Sequence, residues 1–240
     1  MRSLVKFIFF LIKLPHFILQ LIKFSKMNLK ILSMVRLMPK LFDNKNKEPF
    51  DHHYLYHTAW ATRILKKINP KMHYDFASDL RFITQISSFI KTTQYNLGIP
   101  TIKLDGLEFK STDLTNMNNI ESSSLDSISC MHVIEHVGLG RYGDPIKQNG
   151  DWLAIKEIKR VLANNGNLLF VTPVGKKKIY FNAHRVYSYD DILEFFSDFK
   201  LEEFSLIEDD GFEKGIIKNP NPSIVKNNNY ACGCFWFKKI

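Results

Sequence analysis

From Met72 onward the apolar residues fall into short runs that alternate with longer amphipathic stretches. Met72–Ala77, Thr92–Leu97, Leu107–Thr112 and Ser127–Val133 read as strands, the last the strongest. Asn167–Thr172 reads as a buried strand stopped by Pro173, and Leu201–Ile207 and Tyr230–Phe237 as two final strands. Helical spacing over Asp51–Ile68, Asp79–Ile90 and Asp151–Leu162 predicts helices. Asn69-Pro70 ends the first of these, and Gly166 suits the C-cap of the third. Ser188 and Asp191 form a capping box for a further helix reaching Phe199. Strands alternating with helices imply a mostly parallel α/β sheet covered on both faces. The Gly98–Gly106 connection is too short for a helical crossover, so one helix is expected to be trimmed away. The Asp-, Asn-, Gly- and Pro-containing stretch Glu208–Asn229 reads as a long loop of the kind used as a lid.

The N-terminal segment follows another pattern. Its polar residues recur at 2, 6, 13, 16, 20, 23, 26, 30, 33 and 36, one narrow helical stripe on an apolar segment. Lysines interrupt the apolar runs too often for a spanning helix, no small-residue cleavage site follows, and Pro15 is expected to kink the helix. The net charge of +9 sharpens this reading. Residues 1–42 hold eight basic and no acidic groups, which leaves 25 basic against 24 acidic residues in the remainder. A near-neutral body gives no support for nucleic-acid binding. The basic segment fits peripheral contact with the inner face of an anionic membrane, or packing on protein with a solvated lysine stripe. The expected organisation is a basic amphipathic helix over 1–42, a linker and helix over 43–70, and an α/β domain over 71–240. Three scattered cysteines are too few for a disulfide framework and suggest reduced thiols in the cytoplasm.

The densest chemistry lies in 126–145, where two motifs compete. Gly138-Leu-Gly140-Arg-Tyr-Gly143 has the G-x-G-x-x-G spacing of a dinucleotide site, but Asp144-Pro145 follows at once and no helix opens on the glycines. His132-Val-Ile-Glu135-His136 has the H-x-x-E-H spacing of a zinc peptidase, but a strand precedes it and glycines follow, so no long helix can hold both imidazoles. Neither a nicotinamide or flavin site nor a metal site is expected. Cys130, Cys232 and Cys234 read as small apolar core residues.

The strand ending near Val133, the Ile-Glu-His-Val that follows, the helix closing with Arg160–Gly166 and the strand ending at Pro173 are together similar to class I S-adenosylmethionine-dependent methyltransferases. Within that group the chain resembles domain-of-unknown-function family 268. The resemblance rests on Glu135–Pro145, Phe181–Val186, the Asp209–Gly211 turn, Tyr230–Gly233 and an N-terminal helix over Asp51–Arg63. It implies a Rossmann-like, mostly parallel sheet with an antiparallel final strand, and S-adenosyl-L-methionine as cofactor. It further implies that Asp75, Ala77 and Ser78 meet the methionine end of the cofactor, with N–H groups of the helix near Asp79 facing its carboxylate. Asn96 stands where the family carries a ribose-binding acid, and Ala77 where it carries glycine, tolerable if φ stays negative. Asp113 would meet adenine, and Cys130 and His132 the sulfonium.

Methyl transfer to an oxygen needs a positioned group that accepts the acceptor's proton. His136 is the expected base, because imidazole ordinarily exchanges protons near neutral pH, and Glu135 would orient it. Arg141 and His184 complete the expected catalytic set, and Tyr142, Asp144, Asn182 and Arg185 the acceptor-binding set. A structural reading stands beside this one: Arg141 and Asp144 as a local ion pair, His132 as a hydrogen-bonded core histidine, Asn182 as a backbone cap. The expected acceptor is a small molecule bearing a hydroxyl, such as a sugar or surface-glycan precursor. The rival is a catalytically inactive methyltransferase-like scaffold at a membrane surface.

Overall fold

The computed structural model describes residues 12–23 and 50–240. The chain divides into two units, Met1–Phe50 and Asp51–Ile240. In the first, residues 12–23 are helical, Pro15 lies within the helix, and Ile12, Leu19 and Ile22 are exposed. Among the described residues no helix is long and apolar enough to cross a membrane. The rest of the basic segment and the polar stretch 40–49 lie outside the described residues.

The second unit is built on one sheet. Its strands are β1 (Met72–Phe76), β2 (Lys91–Asn96), β3 (Leu107–Ser111), β4 (Leu125–Met131), β5 (Leu162–Val174), β8 (Phe199–Ile207), β9 (Ile217–Lys218) and β10 (Ala231–Lys239). The spatial order is β3-β2-β1-β4-β5-β10-β8-β9. Strands β3, β2, β1, β4 and β5 pair in parallel, and β10 runs antiparallel between β5 and β8. The short strands β6 (Lys178–Tyr180) and β7 (His184–Val186) form a separate antiparallel hairpin. The helices are α1 (His52–Ile68), α2 (Leu80–Ile86), α3 (Gly150–Val161), α4 (Tyr189–Phe195) and α5 (Gly211–Lys214). Two apolar clusters, one on each face, bury the sheet: Ile128, Phe170, Ile155 and Phe235 belong to one, and Trp60, Leu65, Ile83 and Leu169 to the other.

The local rules that build these elements are visible in their ends. Asp51 caps α1 by accepting from the Tyr54 N–H, and Asn69 closes it in the left-handed region at φ 45°. The capping box at Ser188 and Asp191 is complete. Helix α3 has an apolar face through Ala154, Ile155, Ile158 and Val161. The ten-residue link from β2 to parallel β3 contains no helix, so the crossover is trimmed as the spacing predicts.

Several expectations are corrected. Gly166 does not cap α3: that helix ends at Val161 and runs directly into β5, and Asn165, at φ 62°, makes the left-handed turn. Pro173 does not stop β5. It pairs with Cys232, and its carbonyl accepts from the Tyr187 N–H, a position that needs no donor from proline. Helix α4 ends at Phe195, and Phe199 already opens β8. The stretch Glu208–Asn229 is not a free lid. It holds α5, β9 and a short 3-10 helix over Pro222–Asn227, and the Asp209 carboxylate accepts from the Asn229 and Tyr230 N–H groups.

Candidate functional site

The strand order reverses at β1, between β2 and β4. Such a switch point leaves a crevice beyond the carboxyl ends of the strands. Here it is a cleft of about 500 Å³ lined from the ends of β1 (Ala77–Leu80), β2 (Asn96–Gly98), β3 (Asp113–Thr115) and β4 (Met131–Val133). Tyr54 of α1 and the 136–147 loop complete its wall.

The β1 turn is held from beneath. Asp75 is fully buried and does not line the cleft. Its Oδ1 accepts from the Ser78 N–H at 2.9 Å and from Gln94 Nε2 at 2.8 Å, and its Oδ2 from the Ser129 hydroxyl at 2.5 Å. That use of the Ser129 proton fixes the chain behind it. His73 Nε2–H donates to Ser129 Oγ at 2.9 Å, and His73 Nδ1 accepts from Ser127 at 2.8 Å. Asp75 thus positions the loop and does not touch a ligand directly. Ser78 lines the cleft with its hydroxyl accepting from the Met131 N–H. Ala77 lines it at φ 54°, against the expectation of a negative φ. The N–H groups that open α2 do not face the cleft unoccupied: Asp79 accepts from the Arg81 N–H and holds the Arg81 guanidinium through two bonds. Arg81 keeps the Asp79 carboxyl below its usual range.

Asn96 and Asp113 stand in the wall of the cleft. The Asn96 side-chain oxygen accepts from the Leu97 N–H at 2.8 Å, so what this side chain has left to offer is its two amide N–H donors. Asp113 Oδ1 accepts from both the Thr115 N–H and hydroxyl at 2.8 Å. Cys130 is fully buried in the core and does not reach the cleft. Side chains alternate along β4, and its neighbour Met131 is the one at the wall.

Beyond β4 the chain makes only one 3-10 turn, Ile134–His136. His132, at φ 55°, therefore does not share a helix face with His136, and the H-x-x-E-H spacing lacks the helix a zinc peptidase needs. His132 Nδ1–H donates to Glu135 Oε1 at 2.8 Å, both side chains buried. Burial opposes charge on His132, but Cys232 and Glu135 beside it push its pKa up to about 10. Burial keeps the Cys232 thiol well above its usual range.

His136 lines the cleft and is partly exposed. Its Nδ1 lies 2.6 Å from the Ala183 carbonyl, which can only accept, so Nδ1 carries the hydrogen and Nε2 presents a lone pair. Arg141 Nη1 donates to the same carbonyl at 3.0 Å and does not pair with Asp144. Asp144 instead closes its own loop, with its carboxylate accepting from the Gly138, Gly140 and Tyr142 N–H groups. At Gly138, φ is 81°, and a Cβ would meet the Lys147 carbonyl oxygen at 2.2 Å. The glycine spacing thus serves a tight loop folded onto the start of α3, not a pyrophosphate cradle.

Arg185, expected at the acceptor, is 4% exposed and points into the loop's backbone. It donates to the Val137 carbonyl at 2.7 Å and to Gln148 at 3.3 Å, and pairs with Asp151 at 3.4 Å. Asn182 is exposed at the hairpin tip and His184 lies on β7, neither in the cleft wall. The His184 ring packs on Tyr180 and Tyr230, and burial lowers its pKa. Tyr142 lines the cleft with its ring edge-to-face on His136 at 5.5 Å.

Sequence reasoning missed the roof. From α1, the Tyr54 ring stacks 5.3 Å from His132 and the His57 ring lies 5.0 Å from it. Burial pushes Tyr54 up to about 12 and holds His57 well below its usual range. Thr115 and Lys147, bonded at 2.8 Å, were missed as well. The run His52-His53-Tyr54-Leu55-Tyr56-His57 was the available signal, because so many rings at a helix start are seldom needed by a core alone.

Residues 105–210 match the model of a family described as "Caenorhabditis protein of unknown function, DUF268". No curated protein gives a significant match. Among solved structures, the Burkholderia thailandensis 1,6-didemethyltoxoflavin-N1-methyltransferase, bound to 1,6-didemethyltoxoflavin and S-adenosylhomocysteine, is similar at TM-score 0.55 and 10% identity, covering 76% of this chain and 78% of its own. The N-methyltransferase NodS of Bradyrhizobium japonicum WM9, in complex with S-adenosyl-L-homocysteine, is similar at TM-score 0.53 and 11% identity, covering 84% and 93%. The YcgJ protein of Bacillus subtilis is similar at TM-score 0.53 and 10% identity, covering 77% and 98%. The fold is that of the class I S-adenosylmethionine-dependent methyltransferases.

Proposed function

We propose that this protein is an S-adenosyl-L-methionine-dependent methyltransferase acting on a hydroxyl-type acceptor, with a sugar or surface-glycan precursor as the acceptor class. The observation that carries the reading is His136: an imidazole in the wall of the cleft, oriented by the Ala183 carbonyl so that Nε2, 3.9 Å from Glu135 Oε1, is the nitrogen left to take a proton.

The cleft fits the cofactor in size and in donor set. Asn96 would offer amide N–H groups to ribose oxygens, Asp113 would accept from the adenine amine, and Ala77 and Ser78 would border the methionine end. The Asp79 carboxylate attracts the cofactor's ammonium and repels its carboxylate. When bound, the cofactor supplies a methyl group on a positively charged sulfonium, whose loss leaves a neutral thioether. His136 holds the acceptor's proton at Nε2 as the oxygen becomes methylated, and Tyr142 excludes water beside it. Glu135 holds the His132 ring through Nδ1 and acts on the site through that residue.

Calorimetry with S-adenosyl-L-methionine is the first test, with saturable binding expected. His136→Gln is expected to cut S-adenosylhomocysteine release on a panel of nucleotide-sugar and glycan acceptors by ~10²–10⁴-fold while cofactor affinity stays within about twofold. No binding at millimolar cofactor would sink the reading. A second reading, an inactive scaffold at a membrane surface, is favoured by Ala77 at φ 54° and by the neutral Asn96. Residues 1–42 supply the membrane contact in either reading.

A further inference from the structure

The β6–β7 hairpin stands apart from the main sheet and carries its own pattern. Three lysines, Lys176, Lys177 and Lys178, lead into Ile179, Tyr180 and Phe181 at the tip. All six are exposed, Ile179 at 62% and Phe181 at 73%. Asp191 neutralises Lys177 at 2.7 Å, while Lys176 and Lys178 have no acidic partner among the described residues. A folded domain gains nothing in water from presenting an isoleucine and a phenylalanine at the end of a two-stranded arm. A cationic collar behind an aliphatic and aromatic tip matches the layering of a bilayer interface: anionic headgroups outside, acyl chains within.

We propose that this hairpin tip is a docking element for an anionic lipid surface. Phe181 and Ile179 enter the acyl boundary, and Lys176 and Lys178 meet the phosphate layer. The arm is tied to the cleft, since the Ala183 carbonyl at its tip accepts from both His136 and Arg141. Docking therefore holds the His136 wall of the cleft near the headgroups, where a membrane-borne molecule can reach it. The proposal rests on the hairpin alone and stands whether or not methyl transfer occurs.

The test reads the hairpin locally, because the basic segment 1–42 of the full chain would add membrane affinity of its own. Phe181→Trp is made in the full chain, at a site exposed enough to accept the larger ring. Its emission is compared with that of the unsubstituted protein on vesicles of phosphatidylcholine alone and of phosphatidylcholine with phosphatidylglycerol. The expected result is a blue shift on the anionic vesicles, with quenching by brominated acyl chains that exceeds the background of the other tryptophans. Adding Lys176→Gln and Lys178→Gln should weaken that signal several-fold. Protein that sediments with vesicles while Trp emission at 181 stays that of water overturns the proposal. An equal response to the neutral vesicles overturns it too, and so does a shift produced by membrane-free lysate without vesicles, which points to a protein partner.

Discussion

At Ala77 the backbone turns through φ 54°, a region where a Cβ meets the following carbonyl oxygen. Ala77→Gly removes that contact, and the relief exceeds what the added unfolded-chain entropy costs, so it is expected to stabilise the fold by about 0.5–1 kcal/mol. Thermal unfolding should show a higher Tm, and calorimetry tighter S-adenosyl-L-methionine binding; a lower Tm would mean the turn carries no strain. This residue also marks what the sequence could reveal. Asn96 and Asp113 were placed at the cleft by the family resemblance, and His136 and Tyr142 by the motif that follows the strong β4 pattern; all four line it. Asp75 and Cys130 were misplaced because both sit in strands buried on both sides, where alternation does not say which face turns toward a ligand. Tyr54 was missed because no local pattern says which turn of a helix will cover a cleft built by residues far along the chain.

At the scale of elements, Arg185 joins three pieces: β7, the 136–147 loop and the start of α3. Truncation would leave the carbonyls it serves without that donor and the buried Asp151 without its counter-charge, with only the Tyr187 hydroxyl and the Trp152 N–H still donating to it. Arg185→Ala is expected to cost about 3–5 kcal/mol, read as a lower urea midpoint. Arg185→Lys should restore little, since one ammonium cannot match the guanidinium fork. An Arg185→Ala protein as stable as the parent would refute this role. The functional guess for Arg185 failed for the reason the residue matters: a buried arginine serving backbone carbonyls looks, in sequence, like one serving a substrate. Helices with caps and periodic faces were legible. The β6–β7 hairpin, with three residues per strand, offered too little alternation to be seen.

At the scale of the molecule, the buried histidines set the response to acid. Burial lowers His73 to about 3 and His53 to about 4, and His57 lies well below its usual value. The unfolded chain binds protons at these imidazoles below about pH 6.5 while the folded chain does not, so stability falls as pH drops from 6.5 toward 4. By pH 5 the loss is about 2 kcal/mol each for His73 and His53 relative to pH 7, and His57 adds in the same direction. His132, raised in the fold, opposes that trend: its contribution is fully present well below pH 6.5 and is lost as pH rises from about 6.5 toward 10. Urea unfolding from pH 7 to 5 measures this, and a flat profile would contradict it. His73→Asn should flatten the profile by about one histidine's share.

The antiparallel strand β10 lies between β5 and β8, although it follows both in the chain. Strand β8 cannot dock on β5 by itself, because its neighbour in the sheet is made from residues that come later. This half of the sheet therefore assembles in one three-way encounter of distant segments, and until then β5 and β8 each hold an open edge of unpaired amides. Such long-range closure is slow, and the waiting edges are templates for wrong partners. The yield of active protein should thus be governed less by how stable the finished fold is than by how well the unfinished one is shielded while it waits.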